Sequence, residues 1–416
     1  MKKFFVILGV LVFFFSTVST LIAGGIDNKG NLSTEYIRTL NRNAATDSAD
    51  AVAYNPAGVV KMDDGLFLNA SGQYALKTYS NTIGGIEYAS DVPSIVPSLF
   101  GLYKKDKWAG FAALTIPCGG GKVRYENGDA TTFALGQGFI GGANAYLASQ
   151  GLPPLYDTIR SQKLEADSVY YGFTMGGAYA LNDMFSFSLG LRYIDAEKSA
   201  KGAVAIGASS GMAPDQEARI KYEETADGFG GIIGINFSPS KDFNIGLRYE
   251  TKTSLDFETD VKRDDLGYFV DGSKARRDLP ALLGLGAAYN IMPNLKVEAS
   301  YVYYFNEDAN WDGDEDNVDN GYDVGIALEY GFTPKLRGSV GYLYTETGIE
   351  ADYMSPEAPE LDADSVAVGF AYSLDPALDL NFGASRTFYK DETTTTGMKL
   401  EKDVTLISFG IQCKFM

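Results

Sequence analysis

From Gly65 to its last residues the chain alternates apolar and polar side chains with a period of two. Phe185, Phe187, Leu189, Leu191 and Tyr193 are separated by Ser186, Ser188, Gly190 and Arg192. Phe243, Ile245, Leu247 and Tyr249 are separated by Asn244, Gly246 and Arg248, and the pattern recurs at 295–303, 336–344 and 407–415. Successive side chains on a strand point to opposite faces, so each run has one greasy and one polar face. Many runs last about ten residues or more, beyond the about five or six of ordinary sandwich strands. The connections alternate in length. Short ones fall near 104–107, 181–184, 238–242, 291–294, 333–335 and 375–377. Longer ones cover 81–91, 118–163, 201–215, 261–276, 308–320, 349–360 and 391–398. Short turns on one side and long loops on the other are the mark of an outer-membrane barrel. A closed barrel satisfies every backbone polar group inside a bilayer and leaves no edge.

The runs number fourteen, the first at 65–80 and the last at 399–416. The fold class is therefore all-β, a 14-stranded antiparallel transmembrane β-barrel over 63–416. Six short turns and both termini then lie on the periplasmic side and seven longer loops outside. Phe415, next to last, supplies the near-terminal aromatic of a barrel-insertion signal. The first 23 residues read as a signal peptide: Lys2 and Lys3, an apolar run from Phe4 to Phe15, and a small residue at Ala23 before Gly24-Gly25.

Composition narrows the chemistry. The chain contains no histidine, which excludes Ser-His-Asp and Cys-His catalysis and histidine-ligated zinc. A formal net charge of −19 opposes nucleic-acid binding, which needs a basic face. Cys118 and Cys413 fall at opposite ends of the barrel, too far apart for a disulfide, so two free thiols are expected. No enzyme activity and no cofactor are expected. Gly119-Gly120-Gly121-Lys122 lacks the upstream glycine and the following Ser/Thr of a phosphate loop. The run Asp308, Asn310, Asp312, Gly313 and Asp319 has the spacing of a calcium loop, but its twelfth position is aspartate and it joins two strands. The commoner reading is an acidic solvated loop, with no metal.

Ahead of the first strand lies the small, polar stretch Arg42 to Gly58. It ends at Asn55-Pro56-Ala57-Gly58, where the fixed proline φ and the glycine stop any helix. Asn43 through Thr46 and Asn55 through Gly58 resemble the hatch of the FadL family, outer-membrane transporters of long-chain fatty acids and other hydrophobic compounds. Ile116-Pro117-Cys118-Gly119-Gly120-Gly121 resembles that family's Pro-x-Gly-Gly-Gly stretch. The resemblance implies a small N-terminal hatch, or plug, inside the lumen, placed at 24–62. It implies passive uptake through an outer-loop capture groove, a lumen pocket and sideways release at a kink in the third strand. Fatty acid is the first reading. Aromatic hydrocarbon uptake, or a non-transporting surface barrel, is the alternative. The expected partners are a hydrophobic small molecule, outer-membrane lipid and lipopolysaccharide, and the barrel-assembly machinery, with the protein a monomer.

Particular residues follow. Asn43, Asp47, Asp50, Asn55, Pro56, Ala57 and Gly58 are the expected hatch and gating residues. Phe139, Ile140, Leu147 and Leu155, in the long apolar loop 118–163, are expected to line the groove, since exposed apolar patches mark binding sites. Arg192, Arg248 and Arg337 lie on polar strand faces and are expected inside the barrel, on a substrate carboxylate or on Asp47 and Asp50. Gly110, the glycine within the third run, is the expected bend.

Overall fold

The computed structural model describes residues 30–415; the signal peptide and the first residues of the expected hatch lie outside them. Fourteen antiparallel strands follow one another in a single sheet. They are β1 (Gly65–Ile83), β2 (Ile86–Ser90, then Ser94–Lys105), β3 (Trp108–Cys118, then Val123–Tyr125) and β4 (Thr158–Ala180). Next come β5 (Phe185–Gly207), β6 (Gln216–Ser240), β7 (Phe243–Glu250, then Asp256–Asp264) and β8 (Lys274–Arg276, then Ala281–Met292). β9 (Leu295–Phe305), β10 (Gly321–Gly331), β11 (Leu336–Glu346), β12 (Ala363–Asp375), β13 (Leu378–Tyr389) and β14 (Lys399–Phe415) complete the wall. β14 pairs with β1 from Leu66↔Phe415 to Thr82↔Lys399, which closes the barrel. No described helix is long and apolar enough to cross a membrane, which says nothing of a β-barrel.

The alternation in sequence becomes alternation across the wall. On β1, Leu66, Leu68, Tyr74 and Leu76 are exposed on the outer surface, while Asn69, Ser71 and Gln73 are buried inside. β4, β5 and β6 are longer than the sequence reading placed them, at 23, 23 and 25 residues. About ten residues suffice to cross a bilayer, and these three strands are more than twice that long and form a tall sheet. The loop expected at 118–163 therefore ends sooner, at β4, and its longest element is one helix, α2 (Ala130–Ser149). Asp129 caps it by accepting from the Thr132 amide at 2.9 Å.

The largest buried cluster joins the N-terminal segment to the wall. Leu32, Tyr36, Ile37, Leu40, Val52 and Val59 of residues 30–62 form one buried cluster with Phe67, Phe100, Leu102, Phe111, Leu343 and Leu406 of the wall. Cys118 and Cys413 are both free, each near the C-terminal end of its strand segment and so at opposite ends of the barrel.

Candidate functional site

The residues of interest fall in three places: the N-terminal segment, a break in the wall at β3, and a cavity beneath α2.

Residues 30–62 wind around the inner wall against the strand order. Ser33 caps the one-turn helix α1 (Thr34–Ile37), whose Thr34 amide donates to Ser71 on β1. Arg38 reaches β10 and β11, through Glu329 and Ser339. Asn43 lies against β7 and β8, and Ala57 against β5, where its carbonyl accepts from Ser186 at 2.7 Å. The segment comes so close that the wall opposite it must be glycine. A Cβ on Gly246 would sit 2.1 Å from the Asn43 carbonyl, and one on Gly341 2.0 Å from the Thr39 carbonyl. Both clashes are with backbone, which has no rotamer to escape into.

The Asn55-Pro56-Ala57-Gly58 turn has a specific physical basis. Fully buried Asn55 donates to the Ala45 carbonyl at 3.0 Å and to Asn236 of β6 at 2.7 Å. A Cβ on Gly58 would fall 2.3 Å from that same amide nitrogen. The turn thus ties the segment to itself and to β6 through one side chain.

Charges inside the barrel form two groups. Arg42, buried, holds Asp50 through two hydrogen bonds of 3.1 and 2.7 Å and Asp47 at 2.8 Å. Asp47 continues to Lys296 at 3.7 Å and Arg337 at 3.8 Å, and both cations reach Glu329. Burial would raise the Asp47 carboxyl, but Arg42, Lys296 and Arg337 outweigh it and hold it well below the usual carboxylate range. In the second group Arg192 and Arg248 converge on Glu250, at 2.6 and 3.4 Å, with Arg248 over the Tyr54 ring. Of the expected contacts, then, Arg337 lies beside Asp47. Asp50 meets neither Arg192 nor Arg248, because Arg42, eight residues away in its own segment, already takes both of its oxygens.

The wall is interrupted at β3. Its ladder with β2 runs from Lys105↔Trp108 to Leu99↔Leu114 and stops. Its ladder with β4 slips between Thr115 and Cys118 and resumes at Val123↔Ala166. The expected bend at Gly110 is not there: Gly110 sits in regular pairing with Tyr103 and Gly177. The irregularity falls at Ile116-Pro117 because proline has no amide to donate, and Pro97 stands on the facing edge of β2. Gly119 and Gly121, at φ 101° and 65°, then fold the chain back against β4, where the Gly121 amide donates to the Ser168 carbonyl at 3.0 Å. Lys77 of β1 donates to the Gly120 carbonyl.

The backbone of Gly119, Gly120 and Gly121 also lines a cavity of about 170 Å³. Its apolar walls are Tyr79, Leu135, Leu164, Ile220, Tyr222 and Phe269; its charged groups include Lys198, Lys402 and Glu224. None of the four residues expected to line a groove is among its walls. Phe139 and Ile140 pack on the neighbouring cluster of Leu135, Val204, Ile206, Ile220 and Tyr222, while Leu147 and Leu155 lie half-buried further along α2 and its exit. The largest share of the lining comes from the tall sheet. Its signal was the continued alternation Lys163-Leu164-Glu165-Ala166 and Arg219-Ile220-Lys221-Tyr222.

The acidic loop is held in place by contacts with the protein's own groups. Trp311 is buried in a cluster with Val318, Ile349, Leu361 and Leu400 and pins the loop down. The Asp312 carboxylate accepts from the Arg276 amide at 2.7 Å, and Asn310 accepts from the Asp312 amide at 3.1 Å. The Asp308 carbonyl takes Lys252, and the Asp319 amide donates to Gly348. Among the described residues no group of three or more acidic or cysteine side chains is gathered for a metal.

No family model matches the chain. In sequence it is similar to a long-chain fatty acid transport protein of Escherichia coli O6:H1, 23% identical over 257 residues. The match takes in 51% of this chain and spans 57% of that protein's length. In structure it is similar to a Pseudomonas aeruginosa FadL homologue, with a TM-score of 0.68, 14% identity, and 96% of this chain and 99% of that one covered. It is also similar to the P. putida toluene transporter TodX, with a TM-score of 0.67, 14% identity, and 94% and 99% covered. The Ralstonia pickettii toluene transporter TbuX gives a TM-score of 0.60 at 15% identity, with 89% and 94% covered. The chain shares the FadL-type barrel fold.

Proposed function

We propose that this FadL-type barrel is an outer-membrane channel for passive uptake of hydrophobic compounds, with residues 24–62 as its hatch and both termini periplasmic. A substrate collected at the outer loops enters the cavity beneath α2. It leaves sideways into the bilayer through the interruption between β2 and β3. One observation carries this reading: the Gly119–Gly121 backbone is at once a wall of the cavity and the rim of the break. An apolar cavity joined to a wall with missing rungs offers a greasy molecule a route that avoids water. No chemical step is required, and the reading is of a channel rather than an enzyme.

Gly120 provides the test. A Cβ there meets nothing nearer than the Tyr79 hydroxyl at 3.7 Å, and its φ is not in the left-handed region, so a large side chain fits without backbone strain. Gly120→Trp fills the passage and is expected to cut labelled uptake by at least tenfold, with the barrel still heat-modifiable on a gel. Unchanged uptake of oleate, toluene and alkane alike would overturn the reading. The substrate class has two candidates. Lys198 and Lys402 suit a fatty-acid carboxylate. The volume favours a second reading, a single-ring hydrocarbon, since an apolar cavity of about 150 Å³ holds benzene. Competition between oleate and toluene for uptake by the same strain separates them.

A further inference from the structure

We propose that the outward face of the tall β4–β6 sheet binds the phosphorylated saccharide head of an outer-leaflet glycolipid. The carrying observation is a cross-strand row of charge. By register, Arg124 faces Glu165, Glu165 faces Lys201, Lys201 faces Lys221, and Lys221 faces Arg263. Three cations thus stand directly opposite one another on adjacent strands, with no acid between them in the row; their acids lie off to the side, Glu165 for Lys201, Glu223 for Lys221 and Asp265 for Arg263. Like charges in that position destabilise a sheet, and an anion lying across them removes the penalty. One step higher, Lys163 and Arg219 stand in the next row, either side of Ala203. A groove of about 550 Å³ runs along these rows, lined by six Lys/Arg residues and only three carboxylates. In the whole chain acids outnumber cations by 54 to 35, so the inversion is local. Glu165 and Glu217 are already bound, the first by Lys122, Arg124 and Lys201 and the second by Arg219. Lys163 has no ion pair among the described residues.

The direction of the face selects the occupant. The same outward positions of these strands, followed toward the short-turn end, become the lipid-facing row Phe173, Tyr193 and Phe229. The basic rows therefore look sideways, parallel to the membrane plane, and meet molecules that stand in the membrane beside the barrel. From Phe173 to Glu165 is eight residues, about 20 Å of height for a strand tilted as in such barrels. The rows between carry Asp195, Asp227, Glu197 and Glu223, which repel phosphate near the lipid junction. The anions that fit are those held higher, on the saccharide. This inference rests on the membrane placement proposed above but not on transport.

The test uses the purified full chain in nonionic detergent, with native mass spectrometry reading bound lipopolysaccharide. The probes are lipopolysaccharide with its phosphorylated core, the same material dephosphorylated, and lipid A alone. The wild type is expected to prefer the phosphorylated core by at least tenfold, and the preference should weaken with salt. The double variant Lys201→Gln/Lys221→Gln should lose it, and Lys201→Arg/Lys221→Arg should keep it. Oleate and toluene uptake should be unchanged in both, which separates this test from that of the channel. Equal binding of phosphorylated and dephosphorylated material would overturn the proposal. So would equal binding by wild type and the Gln variant, or polyphosphate in solution binding as tightly as the glycolipid.

Discussion

The wall on the β9–β12 side and the wall on the β2–β4 side use the same backbone to opposite ends. The three ladders that join β9 to β12 run without a slip, and glycines on the inner face let residues 38–40 lie against the backbone. Between β2 and β4 the rungs stop at Leu114, two prolines replace donors, and the inner face borders a cavity. The difference teaches that glycine serves two purposes in this barrel. Inside the regular wall it makes room for another chain segment. In the break it supplies the positive φ that turns the strand away.

The comparison is broken most sharply by adding a methyl branch to each kind of wall. Gly341→Val drives a side chain into the Thr39 carbonyl. It should expel the segment or prevent folding, read as loss of heat-modifiable mobility or as a large rise in single-channel conductance. Gly110→Val, in the interrupted half but on the outer surface with nothing within 4 Å of its Cβ, should change neither. If Gly110→Val were as damaging as Gly341→Val, the two walls would not differ in the way described.

The next effect in size concerns how the segment is held to the regular wall. Arg42 is the buried cation shared by Asp47 and Asp50. Arg42→Met leaves Asp50, with no exposed surface, accepting from Ser33 at 2.8 Å. Removing one partner of a buried pair typically costs about 3–5 kcal/mol. The expected result is a lower unfolding midpoint and faster proteolysis within residues 30–62. Arg192→Met, which breaks a pair with Glu250 outside the segment, should lower the midpoint without speeding that cleavage.

What the sequence made legible follows from period and local chemistry. Alternation gave the strand number, and the polar faces gave the interior position of Arg192, Arg248 and Arg337, because neither depends on distant contacts. The height of β6 was legible from its start at 216, whereas that of β4 and β5 was not, because Lys163-Leu164-Glu165-Ala166 has no long apolar face, although it keeps the strand period. The bend was sought at a glycine, whereas a ladder ends where a donor is missing, at Pro117. The partners of Asp50 were sought across the barrel, whereas the nearest guanidinium in the same segment reaches it first. The cavity walls were sought in the greasy loop. They come instead from isolated inward residues on strands far apart in sequence, and no single run displays that convergence.

The smallest expected effect is also the one that most sharpens the account of the segment. Glu35 of α1 is buried at the seam where the barrel closes, between the two walls, and accepts from Asn69 of β1 at 2.6 Å and Asn381 of β13 at 3.0 Å. Burial first, and then the nearby Asp50 charge, push its carboxyl up to about 7, with Arg42 opposing. The folded state therefore keeps a proton on Glu35 that the unfolded chain has already released above the ordinary glutamate range, about 4.3. Where the folded state binds the extra proton, stability falls as pH rises. The segment should be held most firmly below about pH 4.5 and loosen as pH climbs through about 7. Conductance through the purified barrel should rise modestly over that window. Glu35→Gln keeps the oxygen that Asn69 and Asn381 donate to and carries no charge, so it should show the low-pH conductance at every pH. The closing seam between β13 and β1, rather than the break at β3, would then set the proton dependence of the segment. A pH profile unchanged by Glu35→Gln but abolished by changing a group at the break would reverse that assignment.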